Sequence, residues 1–266
     1  IGNLNDLSKR AILIIKEVDL IICENPKHSI KLLNKLGIKK KLIPLHDYNE
    51  EIVIKKISKY QHNTKIGLLS DAGSPLISDP GFKLVRDYIN KDIMITSIPG
   101  PSSLVTSLQM SGLPVNNFTF YGFASKNNKK RKDSIEQVIR NNITSVFFVS
   151  GKNLENFIHN INELCGVREI SICKELTKIN EAIIRGTSKE IYKKIIENKL
   201  NLKGEFTVVI ASSVKKIKKS INNKIQNEIS SLLKKFSLTE TVKIVHNLTD
   251  IPKKDVYQIA IKIKDE

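Results

Sequence analysis

Tryptophan is absent from the 266 residues, methionine occurs only twice, and aromatic side chains make up 6% of the chain. Cysteine is nearly as scarce. Cys23, Cys165 and Cys173 are odd in number and widely scattered, which excludes a disulfide framework and reads as reduced, mostly buried thiols. None of them lies in a CxxC or Cys/His spacing of the kind a structural zinc site uses, so no metal is expected. Long apolar runs are missing as well. Segments such as Ala11 to Ile15 are interrupted by charge within a few residues, far short of the roughly 20 needed to cross a bilayer. No secretory leader pattern is visible behind Ile1. A cytoplasmic protein with no membrane partner is therefore expected. Arginine is also sparse, with six residues against 38 lysines.

What is present is charge and aliphatic bulk. Hydrophobic residues form 40% of the chain, enough for a buried core without staples, and the formal net charge is +17. Such a balance favours a polyanionic partner. Abundant Lys, Ile and Asn are equally what AT-rich coding produces, so charge alone leaves both explanations open.

Apolar periodicity outlines an alternation of short strands and helices of about ten residues. Helices are expected near residues 7–18 (capped by Asp6), 29–36, 50–60, 82–89 and 102–110. Strands are expected near 20–23, 41–45, 66–69 and 93–98. This alternation predicts right-handed βαβ units and a parallel sheet. A boundary is expected at Ser111-Gly112-Leu113-Pro114. Strands near 118–122, 145–149, 169–173, 182–185 and 206–211 follow, with helices between them. After Ser213 the composition shifts towards Lys, Ile, Asn and Ser, with helical patterns at 221–236, 239–246 and 253–263. The expected organisation is an α/β protein with two α/β domains, 1–114 and 115–214, and a small helical C-terminal extension, 215–266.

Two turns carry the chemistry. Leu68-Leu69-Ser70-Asp71-Ala72-Gly73-Ser74-Pro75-Leu76-Ile77-Ser78-Asp79-Pro80-Gly81 follows a strand and opens a helix, the position where open α/β sheets bind ligands. Asp79 and Pro80 are expected as N-cap and first helical residue. Asp71, Gly73 and Ser74 lie earlier, at the strand end, where capping does not account for them. The second turn, Ile98-Pro99-Gly100-Pro101-Ser102-Ser103, again joins a strand to a helix whose free N–H groups can hold an anion.

SDAGSPLISDPG resembles the SDAGTPLISDPG signature of the ribosomal RNA small-subunit methyltransferase I family, within the tetrapyrrole methylase superfamily. Pro99 to Ser103 is similar to that family's PGPSA or PGPSS element. The likeness runs nearly end to end. Ile1-Gly2-Asn3-Leu4 with Asp6, Arg10 and Ala11 resembles the opening PIGNL-x-D-x-x-x-RA, and Leu45-His46-Asp47-Tyr48-Asn49-Glu50 resembles a further family segment. Tyr121-Gly122-Phe123, Glu175-Leu176-Thr177-Lys178, Arg185-Gly186, Lys203-Gly204-Glu205-Phe206 and Lys253-Lys254-Asp255-Val256-Tyr257 resemble its later elements. The chain departs from the family at Glu24-Asn25-Pro26-Lys27, where EDTR is usual, and at residues 147–153, where F-Y-E-S-x-x-R is usual.

The resemblance implies a cofactor cleft between the two α/β domains, S-adenosyl-L-methionine as cofactor, and a homodimer. The implied activity is 2′-O-methylation of a cytidine ribose in the decoding region of 16S rRNA, with the assembled small ribosomal subunit as the expected substrate. Carried onto this chain, it implies cofactor contacts from Asp71, Gly73, Ser74, Pro75, Ile77, Ser102 and Ser103, with Gly2, Lys203, Gly204 and Glu205 around them. Methyl transfer to a ribose needs alignment and a proton acceptor. Glu24, His46, Asp71 and Glu175 are the candidate acceptors on matched segments, and the sequence does not choose among them. RNA contacts are expected from Lys126, Lys129, Lys130, Arg131 and Lys132, which follow Tyr121 and Phe123. The run Lys215, Lys216, Lys218 and Lys219 reads more as a linker. The competing readings are a methyltransferase acting on a small tetrapyrrole and an RNA-binding relative without catalysis.

Overall fold

The computed structural model describes residues 1–60, 63–213, 223–249 and 251–265. Ile1–Ser212 forms one compact unit and Ser213–Glu266 a second. The Lys215 to Lys219 run lies outside the described residues.

The first unit opens with a 3-10 turn, Leu4–Asp6, and then α1, Lys9–Glu17. The cap of α1 is Ser8, not Asp6: the Ser8 hydroxyl accepts the Ala11 N–H at 3.1 Å. Asp6 is used up in the preceding turn, and Ser8 has the extended backbone from which its hydroxyl reaches back to a first-turn N–H. There follow β1 (Leu20–Cys23), α2 (Pro26–Lys35), β2 (Lys41–Pro44), α3 (Glu50–Ile57), β3 (Ile66–Leu69), α4 (Phe82–Asn90) and α5 (Ser103–Ser111). The three strands form a parallel sheet in the order β2-β1-β3.

Strand periodicity divides β1 between two cores. Leu20 and Ile22 point into a cluster with Ile43, Leu45, Val53, Ile57 and Leu84, under α3 and α4. Ile21 and Cys23 point the other way, to Val18, Leu33 and Ile38, under α1 and α2. All four residues of β1 are buried, as a central parallel strand between helical layers requires. Each large apolar side chain fully buried in this way contributes about 1.5–3 kcal/mol.

One expected strand does not form. Residues 93–98 lie in irregular backbone, with Met94 91% exposed and Ile93 and Ile95 also exposed. Apolar content meets the sequence criterion for a strand, but a strand also needs a partner. β1 is paired on both sides, and among the described residues no ladder reaches 93–98, so β3 is a sheet edge.

The second half of this unit contains β4 (Phe118–Phe123), α6 (Asn128–Asn141), β5 (Thr144–Ser150), α7 (Gly151–Cys165), β6 (Glu169–Lys174), β7 (Ala182–Thr187), α8 (Ser188–Ile196) and β8 (Glu205–Ile210). All five expected strands are present, in the order β4-β5-β8-β6-β7. Of the pairs in this sheet only β4 and β5 are parallel; the others are antiparallel. One face is sealed by Ile135, Val138, Leu154, Phe157, Ile158, Ile161, Ile191 and Ile195 from α6, α7 and α8. The other face receives α5, whose Leu104 and Leu108 pack on Phe120, Val146 and Val209. α5 thus follows the first sheet in the chain and packs on the second.

The second unit is helical: α9 (Asn223–Leu233), α10 (Leu238–Thr249) and α11 (Lys253–Asp265) enclose Ile229, Val242, Val245, Ile251, Val256 and Ala260. No helix among the described residues is long and apolar enough to cross a membrane.

Candidate functional site

Residues 70–81 leave the carboxyl end of β3 and turn repeatedly through left-handed backbone. Gly73, Leu76, Ser78 and Gly81 have φ of 78°, 70°, 69° and 127°. For Leu and Ser this conformation costs roughly 1–2 kcal/mol each, and such strain persists only where the surroundings enforce it. Both ends of the loop are held. Ser70 donates its hydroxyl proton to the Gly73 carbonyl at 3.1 Å. At the far end the Glu50 carboxylate, buried at the start of α3, accepts the N–H groups of Gly81 at 2.6 Å and Lys83 at 2.8 Å. Glu50 therefore performs the capping expected of Asp79. Gly81, at a φ that only glycine adopts freely, moves the helix start to Phe82, and Glu50 has already taken the first free donors.

Released from capping, Asp79 faces a carboxylate cluster. It lines a recess too tight to admit a water molecule, with Glu24, Leu45, Leu68, Leu69, Ser70, Pro75 and Pro80. Burial, reinforced by Glu24 and Asp71, pushes its carboxyl up to about 6. Asp71 is anchored differently. One oxygen accepts the Asn25 N–H at 3.1 Å at the start of α2, and the other is 2.9 Å from His28 Nδ1. The loop after β3 and the first turn of α2 thus form one polar surface across the carboxyl ends of β1 and β3.

The second turn meets the first. A Cβ added to Gly73 would stand 3.9 Å from the Pro101 carbonyl oxygen and 3.5 Å from Ile1 Cγ2. Gly73 is what lets these backbones approach. Ser102 has the extended backbone of an N-cap, with its hydroxyl 3.5 Å from the Val105 N–H, and Ser103 begins the helix. The body of α5 is fixed on the second sheet, where the Ser107 carbonyl is 3.9 Å from Cys173 Sγ.

A third cluster joins at Gly2. A Cβ there would fall 2.5 Å from Lys178 Cγ, so the chain start and the loop after β6 are in contact. Lys178 Nζ bridges Glu175 at 3.2 Å and Glu205 at 2.8 Å, and Glu175 accepts the Glu205 N–H at 2.7 Å. The Glu205 N–H, together with Lys178, holds the Glu175 carboxyl below its usual range. Burial pulls the Lys178 ammonium down, but its two carboxylate partners more than offset this and raise it. Gly204 lies against Glu175, with a Cβ position 2.8 Å from Oε1. Asp71, Gly73, Pro101, Ser102, Gly2, Glu175, Gly204 and Glu205 therefore come from turns that the fold brings next to one another.

Other expected residues are exposed or serve the scaffold. His46 is exposed, its ring 6.3 Å from that of Tyr48, and its backbone N–H binds Asn49. Lys203 is exposed, and Ile77 is 45% exposed beside the recess that Pro75 lines. Lys126, Lys129 and Lys130 lie at the start of α6 and just before it, and all three are exposed. Arg131 is buried instead, with its guanidinium bonded to Asn160, Asn128 and the carbonyls of Ser125 and Lys126, so it fixes the basic loop rather than facing solvent. Lys132 pairs with Glu163 at 2.9 Å. Val149, where the family has Glu, is buried in the second core. Two residues not singled out from sequence for the site, His28 and Lys178, sit at the centre of the first and third clusters. The three thiols are free, and burial raises each of them. Among the described residues no group of three or more His, Cys, Asp or Glu side chains is placed to hold a metal.

Comparison with known proteins agrees with this arrangement. Residues 1–192 match the family model for tetrapyrrole (corrin/porphyrin) methylases. A ribosomal RNA small subunit methyltransferase I from Halalkalibacterium halodurans is 35% identical over 97% of this chain and 91% of its own length. One from Buchnera aphidicola is 36% identical over 98% and 90%, respectively. One from Thermotoga maritima is 37% identical over 79% of this chain and 94% of its own length. Among solved structures, diphthine synthase superposes with a TM-score of 0.61 at 14% identity, covering 79% of this chain and 86% of that one. Cobalt precorrin-4 methyltransferase superposes at 0.57 with 12% identity, covering 79% and 90%. These two likenesses establish the fold. The cofactor of such methylases is S-adenosylmethionine. The residues present fit it: open N–H groups at the start of α5, hydroxyls of Ser74, Ser102 and Ser103, and backbone exposed by Gly73 next to Asp71. The chain belongs to the ribosomal RNA small-subunit methyltransferase I family of the tetrapyrrole methylases.

Proposed function

We propose that this chain methylates RNA of the small ribosomal subunit, at the ribose 2′-hydroxyl of a cytidine in the decoding region of 16S rRNA. The observation that carries this reading is the near full-length match to curated relatives named ribosomal RNA small subunit methyltransferase I, at 31–36% identity. The convergence of the three turns supports it.

Bound S-adenosylmethionine would supply a methyl group already activated on a sulfonium. What remains for the protein is alignment of the ribose oxygen with that methyl and removal of a proton. Asp71, Gly73, Ser74, Pro75, Ile77, Ser102 and Ser103 are the proposed cofactor surface, with Gly2, Lys203, Gly204 and Glu205 at its margin. The recess beside Asp79 has no room even for a water molecule, against the ~300–1,000 Å³ of ordinary ligand cavities. The cofactor therefore rests across the turns, not inside that recess. Of the candidate proton acceptors, Glu175 is engaged by Lys178 and the Glu205 N–H and suits a positioning role, and His46 is exposed beside Leu45, which lines the recess with Glu24 and Asp79. Asp71 and Glu24 remain on the active surface.

Lys126, Lys129 and Lys130 are the proposed phosphate contacts, with Arg131 and Lys132 shaping their loop. A homodimer, a cytoplasmic location, and division into 1–114, 115–214 and 215–266 belong to the same proposal. The test is methyl transfer from labelled S-adenosylmethionine to small ribosomal subunits from a strain lacking the enzyme, with the product mapped. Label on one cytidine ribose of 16S rRNA is the expected outcome. Label on a base, or none on RNA, overturns the reading.

A further inference from the structure

His28 lies in the first turn of α2, and its Nδ1 stands 2.9 Å from Asp71 Oδ2. The second Asp71 oxygen is held by the Asn25 N–H at 3.1 Å, so the carboxylate cannot turn away from the ring. The imidazole is 58% exposed, while its partner carboxylate is only 23% exposed. The carboxylate is therefore the more shielded partner, and the ring stands largely in solvent beside the loop after β3. A carboxylate bonded to one imidazole nitrogen fixes the tautomer, leaving the other nitrogen a bare acceptor, and stabilises the imidazolium once it forms. Lys27 and Lys31 flank His28 on its own helix, and Glu24 and Asp79 lie close to Asp71.

We propose that His28 Nε2 is the proton acceptor for methyl transfer and that Asp71 orients it. The assignment rests on the reading of the chain as a ribose methyltransferase. As the ribose oxygen bonds to the methyl carbon, the carbon–sulfur bond breaks and its electron pair stays on sulfur. The hydroxyl proton passes to His28 Nε2, and the resulting imidazolium is paired with Asp71. Solvent then removes the proton.

The test uses the full chain, with His28→Gln and Asp79→Asn as variants. The parent transfers methyl to small ribosomal subunits with a rate that falls on acidification. In His28→Gln the rate drops about 100-fold or more and the acidic limb disappears. Affinity for S-adenosylmethionine, read by calorimetry, stays within about two-fold. Independently of turnover, nitrogen-15 NMR of the ligand-free protein shows neutral His28 protonated at Nδ1. An Nε2-protonated ring overturns the proposal, as does a His28→Gln variant with parental rate. An acidic limb kept in His28→Gln and lost in Asp79→Asn assigns the proton to Asp79, and also overturns it. A parent that methylates no subunit RNA refutes the function itself, which is distinct from a parent that works equally well without His28.

Discussion

Asp79 has its carboxyl pushed up to about 6, mainly by burial and further by Glu24 and Asp71. An unfolded chain returns it to about 3.9. A carboxyl that binds its proton more tightly when folded stabilises the fold fully below the unfolded value, and that contribution is lost as pH rises through the folded one. Asp79→Asn, which cannot ionise, is therefore expected to be more stable than the parent in mildly alkaline buffer and no more stable in strong acid. The full shift would amount to roughly 3 kcal/mol. Solvent reaches this half-buried group, so about 1 kcal/mol is expected in urea titrations at the two pH values. At this scale the sequence is readable where a residue has no ordinary local role. Asp71 and Gly73 stand out because capping does not explain them. His28 is not readable, because its partner is 43 positions away in the chain and only folding brings the two together.

Glu50 links two elements, standing at the start of α3 and capping α4. Charge-assisted bonds to two backbone donors, made out of solvent, make this a strong cap. Glu50→Ala is expected to cost about 2 kcal/mol of unfolding free energy by denaturant titration, and Glu50→Gln less, since an amide oxygen still accepts one bond. The elements themselves are largely legible. The expected strands near 20–23 and 66–69 coincide with β1 and β3, and the five strands of the second sheet lie where apolar runs place them. Two features are not legible: the antiparallel pairing of β5, β8, β6 and β7, which no periodicity encodes, and the fate of residues 93–98. A local pattern reports what a segment can bury. It does not report whether a neighbouring strand is available to pair with it.

The whole molecule carries a net charge of +17, and its effect is read by salt. Removing one lysine–phosphate pairing lowers the slope of log affinity against log salt by about 0.7–0.9. Lys129→Ala with Lys130→Ala should therefore flatten the slope for subunit RNA by about 1.5. Arg131→Lys is expected to leave the slope nearly intact and lower the melting temperature, because the guanidinium holds the loop from inside and an ammonium cannot reproduce its fork. Composition alone does not separate these roles, since burial is invisible in a charge count. The compact unit Ser213–Glu266 matches in size the share of this chain that the Thermotoga maritima relative leaves uncovered. A chain ending at Ser212 is expected to fold cooperatively and to bind S-adenosylmethionine with parental affinity. A molten or cofactor-blind product would show the two units to be interdependent.

The open flank of β3 has a practical bearing on handling. Ile66–Leu69 presents a row of backbone donors and acceptors with no neighbouring strand among the described residues. Neither proline nor a charged side chain interrupts it, whereas the opposite flank of the sheet ends in Pro44. Uncovered ribbons of this kind template intermolecular cross-pairing. Concentrated stocks are accordingly expected to cloud slowly, and faster with added salt as mutual repulsion among the lysines is screened, which light scattering would follow. Dilute, low-ionic-strength storage keeps the molecules apart.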